Sequence, residues 1–104
     1  MQTDAASDVG SDDVTLNGQI TDTGNENADQ RGFVYDDETH GDPGATAPAD
    51  SDYEWYVLSG GDFGTGSFDE YVDGLNSSTT YYFRACAHNS AGWNYGDELQ
   101  FTTS

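Results

Sequence analysis

The sequence contains no lysine at all, and Arg31 and Arg84 are its only fixed cations against twenty Asp and Glu. Two cations cannot neutralise a row of phosphates, so nucleic-acid binding is excluded on charge, and an anionic membrane surface is disfavoured for the same reason. Cysteine is nearly absent too: Cys86 stands alone, no internal disulfide can form, and the fold must hold without one. Prolines number two. Long hydrophobic runs are missing, so no membrane insertion is expected, and residues 1 to 13 have neither the basic start nor the apolar stretch of a signal peptide. No window of eleven residues carries helical periodicity with caps, which removes helical bundles and α/β folds from consideration.

What is present is acid, glycine and aromatic rings. The net charge of −18 over 104 residues destabilises a compact state by self-repulsion at low ionic strength. At about 1 M salt the Debye length falls to ~3 Å and the repulsion is largely screened. The composition therefore reads as adaptation to high salt. An acidic disordered chain is the other reading of such a balance, but 13% aromatic residues supply enough large apolar area for one core.

Short alternating stretches fill the chain. Residues 14–20 place Val14, Leu16, Gly18 and Ile20 on one face, with Gly18 leaving room for a neighbouring ring. Residues 31–36 and 53–58 are rich in β-formers, and in 68–72 the register between Phe68 with Glu70 and Asp69 with Tyr71 stays open. Residues 80–89 are the strongest strand, with Tyr81, Phe83, Ala85 and Ala87 inward and Tyr82, Arg84, Cys86 and His88 outward. Leu99 and Phe101 share a face in the last strand. Residues 37–52, without a large apolar side chain, read as a long exposed loop; SGGDFGTG (59–66) reads as a flexible bend. Six or seven such strands separated by turn chemistry describe an all-β sandwich. Its core should hold Val14, Leu16, Ile20, Phe33 or Val34, Trp55, Tyr81, Phe83, Leu99 and Phe101. The acidic segment 1–13 would add at most an edge strand at its end, with the sandwich spanning 14–104.

Leu75 and Tyr81, six apart around a polar turn at the entry to the strongest strand, look like a tyrosine corner, in which the phenol bonds back to upstream backbone. The run Tyr81-x-Phe83-Arg84-Ala85-x-Ala87-x-Asn89-x-x-Gly92 resembles the F strand and F–G turn of fibronectin type III domains. Tyr95-Gly96 followed by Phe101-Thr102-Thr103 resembles the last strand of their bacterial and archaeal variants. Residues 14–18 and 31–35 look like the B and C strands. Ser77 stands where the corner carries proline, and the B strand has no tryptophan, leaving Trp55 or Trp93 to supply that bulk. The resemblance implies a Greek-key sandwich of about seven strands and an F–G loop used for contact, which makes Trp93 and Tyr95 the candidate interface residues. Leu75, Tyr81, Phe83, Leu99 and Phe101 are the structural set.

Sites of chemistry are weakly indicated. His40 and His88 read as solvated histidines, and Cys86 with His88 lacks a third partner. Asp36, Asp37, Glu38 and Asp42, or Asp50 with Asp52, are acids that a hard cation favours, but in so acidic a chain they read as a salt-adapted loop. Residues 59–67 lack the signature of a phosphate cradle. Asn76-Ser77-Ser78 fits the N-glycosylation pattern. No cofactor and no catalytic residue is expected. The expectation is a non-enzymatic structural or interaction module on the surface of a halophilic particle: read as a chain starting at Met1 without a leader, a virion protein such as a capsid decoration, turret or fibre. Its partners would be capsid or other virion proteins, and it would be a homo-oligomer. The alternative is an extracellular binding, adhesion or spacer module of a larger secreted haloarchaeal surface protein or hydrolase.

Overall fold

Alternation of small and large apolar residues along the strands decides the architecture, and the computed structural model, which describes all of residues 1–104, is nearly all β. Eight strands form: β1 (Gln2–Ser7), β2 (Val14–Ile20), β3 (Ala28–Asp36), β4 (Trp55–Phe63), β5 (Gly66–Val72), β6 (Thr80–Asn89), β7 (Gly92–Tyr95) and β8 (Leu99–Thr102). They make an immunoglobulin-like sandwich of two antiparallel sheets. One runs β1-β2-β5; the other runs β4-β3-β6-β7, with β8 also paired to β6. The final strand is thus split in two around residues 96–98, both halves pairing with β6.

The inner faces meet as the alternation predicts. Val14, Leu16 and Ile20 of β2 face Phe33, Tyr81, Phe83, Ala85, Ala87 and Phe101 of the second sheet. A Cβ on Gly18 would stand 2.7 Å from the Ala85 methyl and 3.3 Å from the Phe33 ring, so that glycine does admit a neighbouring ring. In β5, Phe68 and Val72 are the buried pair and Tyr71 points out. Arg31 closes one end of the core, its guanidinium 3.9 Å above the Phe63 ring.

The corner closes the other end. The Asn76 N–H donates to the Tyr81 hydroxyl at 2.8 Å, with Tyr81 fully buried and Leu75 packed beside the core. Thr103 completes this pole, its hydroxyl donating to the Asn76 carbonyl at 2.6 Å and accepting from the Thr79 N–H at 2.9 Å.

Several expectations need correction. Edge pairing within residues 1–13 comes from their beginning, not their end: β1 pairs with β2, and the Thr3 hydroxyl reaches across to accept the Ala85 N–H at 3.0 Å. Gly96 has no side chain because a Cβ there would lie 2.7 Å from the Thr3 nitrogen. The glycine-rich 59–66 stretch is mostly strand: β4 runs to Phe63 and β5 starts at Gly66, so only Gly64 and Thr65 carry the chain from one sheet to the other. Trp55 is not a core residue but sits at the rim, 36% exposed, with its ring 5.8 Å from Tyr35 and 6.3 Å from Tyr81. Leu99 is half-buried and packs against the core from its margin. Phe33 and Val34 are both buried, on opposite faces of β3, which requires a cover on the outer side of the second sheet.

The chain ends lie at opposite poles. The Met1 amino group donates to Thr21 Oγ1 at 2.7 Å, just beyond the end of β2. The Ser104 N–H donates to the Gly10 carbonyl at 3.0 Å, just before its start. The longest dimension of the body is 41 Å.

Candidate functional site

The cover over Val34 is the segment 37–54: residues 37–52, expected to be an exposed loop, and Tyr53 and Glu54, expected to open the strand that in fact begins at Trp55. It folds back over the outer face of the β4-β3-β6-β7 sheet, burying Pro48 in a single 3-10 turn (Pro48–Asp50) and Tyr53 just ahead of β4. Val34, Tyr53 and Cys86 form a second small apolar layer outside the main core.

A polar clamp holds this segment down. Arg84 projects from the outer face of β6 and donates from Nε to the Tyr53 hydroxyl at 3.0 Å, from Nη1 to the Gly96 carbonyl at 2.8 Å and from Nη2 to the His40 carbonyl at 3.4 Å. Tyr53 in turn donates to Glu98 Oε2, which also accepts the His40 N–H at 3.0 Å, while Thr39 donates to Oε1. Asp36, at the end of β3, pairs with His40 Nε2 at 2.8 Å and accepts the Glu54 N–H at 3.1 Å. No buried side-chain polar atom lacks a partner, the condition under which a buried network rigidifies rather than weakens a fold.

The electrostatics follow from that geometry. Burial raises the Glu98 carboxyl, but hydrogen bonds from Thr39, Tyr53 and the His40 N–H, together with Arg84, outweigh it and hold the group below the ordinary carboxylate value. Asp36 is treated likewise: burial raises it, and bonds from His40, Asp37 and the Glu54 N–H bring it down. Burial and then the bond to Glu98 push the Tyr53 phenol up. Burial pushes the Cys86 thiol up to about 12.

The sequence-predicted residues are distributed as follows. Cys86, expected on an open face, is fully buried under the 37–54 segment and stays a protonated thiol. The histidines are not free in solvent: His40 belongs to the clamp, and His88 Nδ1 bonds Asp29 at 2.7 Å. Trp93 lies 4.9 Å from the His88 ring and is half-buried. The Tyr95 hydroxyl donates to the Thr46 carbonyl, so this ring secures the cover. Asp36 and Asp37 come together with Glu54 rather than with Glu38 or Asp42. Asp42, Asp50 and Asp52 line a separate shallow hollow. Asn76 is exposed.

The largest hollow, about 460 Å³, lies at the pole where residues 22–26 meet residues 88–91. Its walls are tied by Glu26, which accepts both the Ser90 N–H and the Ser90 hydroxyl, and by Asn89, which donates to the Thr23 carbonyl at 2.9 Å. The large exposed aromatics are elsewhere: Trp55, Tyr56 and Tyr71. Sequence reasoning did not single out Tyr53, Arg84 or Glu98. The available signal was that a lone arginine on a sheet face, in a chain this acidic, must gather partners.

No family model and no curated protein matches the chain. Among solved structures, the short form of the sensor domain of the anti-sigma factor RsgI4 in Pseudobacteroides cellulosolvens is similar, with a TM-score of 0.61 at 15% identity over 98% of this chain and 90% of that one. The solution structure of the sensor domain from the same protein gives a TM-score of 0.59 at 16% identity, over 98% of this chain and 72% of that one. At such identity the likeness concerns the fold alone.

Proposed function

We propose that this chain is a non-enzymatic structural and interaction module that works in molar salt on the surface of a halophilic particle, as a virion decoration, turret or fibre protein with protein partners. The observation that carries the reading is the disposition of charge. Of the twenty acids only Asp36 is buried, so the carboxylates coat the body, and its cohesion is opposed by their repulsion unless salt screens it. Both arginines are engaged inside the fold, which leaves no cation to grip a polyanion and favours partners met through neutral surface. The one thiol is sealed, and the ring contacts of the two histidines are to Asp36 and Asp29, with no serine, threonine or cysteine side chain bonded to either as the nucleophile that a catalytic pair requires. The strand order and the Asn76–Tyr81 corner bond are in keeping with a fibronectin type III-like scaffold.

A second reading has its own observation. The similar solved structures are sensor domains of a regulator, which favours a binding module carried within a longer surface protein.

Particles purified on density gradients in molar KCl test both. Co-migration of the chain with capsid proteins supports the first reading, and recovery only within a long exported polypeptide replaces it with the second. The salt requirement is tested separately by circular dichroism: cooperative folding gained between about 0.1 and 3 M KCl is expected, and equal stability at both ends refutes it.

A further inference from the structure

The sandwich has four lateral edges, and three are guarded. Strand β1 carries Asp4 and a break in register between Asp4 and Ser7. Strand β5 carries Asp69 and Glu70 at its centre. The split β7–β8 edge is interrupted at residues 96–98, where Arg84 bonds Gly96 and β1 lies alongside. Strand β4 is different. It ends its sheet, pairing with β3 alone, and none of the backbone hydrogen bonds outside the ladders involves it. Alternate N–H and C=O groups along it therefore face solvent. The stretch Trp55–Gly61 has no charged residue and no proline, although every neighbouring segment is acidic. Only beyond it do Asp62 and a register shift opposite Ala28–Gln30 appear. Charge, proline and bulges are the devices that keep free edges from pairing, and here they are confined to the last few residues.

We propose that β4 is a self-association edge, whose occupant is β4 of a second copy of this chain, paired antiparallel about a twofold axis at Val57. The occupant follows from charge and pattern. Two bodies each carrying −18 can approach only where acids are few, and this is the longest edge-strand stretch with no charged residue of its own, its one contact with a carboxylate being the bond from the Ser59 hydroxyl to Glu70 of β5. Pairing about Val57 sets Tyr56, 47% exposed, opposite the half-buried Leu58 of the second copy, an aromatic–aliphatic cross-strand pair made twice. A twofold shifted to Leu58 would instead oppose Glu54 and Asp62. The Val57 pairing fuses the two second sheets into one continuous sheet, and it needs salt, because the acid coats repel across ~10 Å at 0.1 M but only ~3 Å at 1 M. The inference deepens the scaffold reading by naming its partner and is independent of the particle experiment: a strictly monomeric chain refutes the pairing yet leaves the particle result standing.

Analytical ultracentrifugation of the full chain in 3 M KCl tests it, with circular dichroism to confirm that each variant is folded. The wild type is expected to dimerise, Leu58→Glu to weaken self-association at least about tenfold, and Tyr71→Glu, on the far sheet, to leave it unchanged. Under oxidation Val57→Cys should form a covalent dimer, since directly opposed residues stand about 4.5–5.5 Å apart and a disulfide spans that distance. Ser59→Cys should not, because it opposes Trp55. A wild-type monomer at every salt concentration overturns the proposal, as does a dimer that survives Leu58→Glu or a covalent dimer of Ser59→Cys without one of Val57→Cys.

Discussion

Replacing Arg84 with methionine keeps most of the apolar stem and deletes the guanidinium that anchors the 37–54 segment. Two of its bonds are short, at 3.0 and 2.8 Å, and the third is long at 3.4 Å. Hydrogen bonds involving a charged group contribute ~1.5–3 kcal/mol each, so the two short ones sum to ~3–6 kcal/mol before solvent is considered. Arg84 is only half-buried, and water will satisfy part of what is lost, which reduces the expected cost to about 2–4 kcal/mol. With a urea slope of ~1–1.5 kcal/mol/M for a domain of this size, the midpoint in 3 M KCl should fall by roughly 2 M. A local readout accompanies the global one. Cys86 is sealed beneath the segment, so a thiol reagent that reacts slowly with the wild type should react rapidly with Arg84→Met under native conditions. Arg31→Met, which changes net charge equally but lies on the inner side of the sheet over Phe63 and Phe68, should leave Cys86 protected. If Arg84→Met shifts the midpoint by less than about 0.5 kcal/mol equivalent and Cys86 stays as slow as in the wild type, the clamp does not hold the segment.

Tyr81→Phe removes the acceptor of the Asn76 N–H and should cost ~1–2 kcal/mol, seen as a lower urea midpoint with an unchanged slope. Phe83→Ala empties a fully buried site between Phe33 and Phe101 and should cost ~3–5 kcal/mol, enough to leave the chain unfolded by circular dichroism at moderate salt. Glu98 and Asp36 are both held below their ordinary values of 4.5 and 3.8. Their contribution is therefore present above those values and lost as pH falls through the lower folded-state ones. In 3 M KCl, where general repulsion is screened, the urea midpoint should decline on acidification below about pH 4.5, and Glu98→Gln should be less stable at neutral pH with a shallower decline.

The fold was legible wherever one face of a strand is wet and the other dry. Residues 14–20 and 80–87 announce both their strands and their inward sides, because period-two alternation is a local property that burial on one face imposes. The corner was legible because Leu75, Tyr81 and the turn between them are close in sequence. What escaped notice depends on distant segments docking. Residues 37–52 contain no large apolar side chain, yet Pro48 lies fully buried because Arg84 and Glu98, far along the chain, fasten the loop. Once covered, the outer side of β6 no longer obeys alternation, and Cys86 becomes as dry as Ala85. The surroundings of the aromatic rings are just as hard to read locally: the Tyr95 hydroxyl bonds the Thr46 carbonyl, far off in sequence, whereas Tyr56 and Tyr71 sit in the open. Nothing in a stretch such as Trp55–Gly61 says that its strand ends a sheet, since edge position is a property of strand order.

The first and last residues leave the body at opposite ends, each fastened by its own hydrogen bond. Domains strung in tandem through these ends would line up head to tail rather than fold back, each adding a stride of at least the length of β2, roughly 20 Å at ~3.3 Å per residue. Such a polypeptide would be a beaded stalk, able to hold whatever it carries several nanometres away from its anchorage.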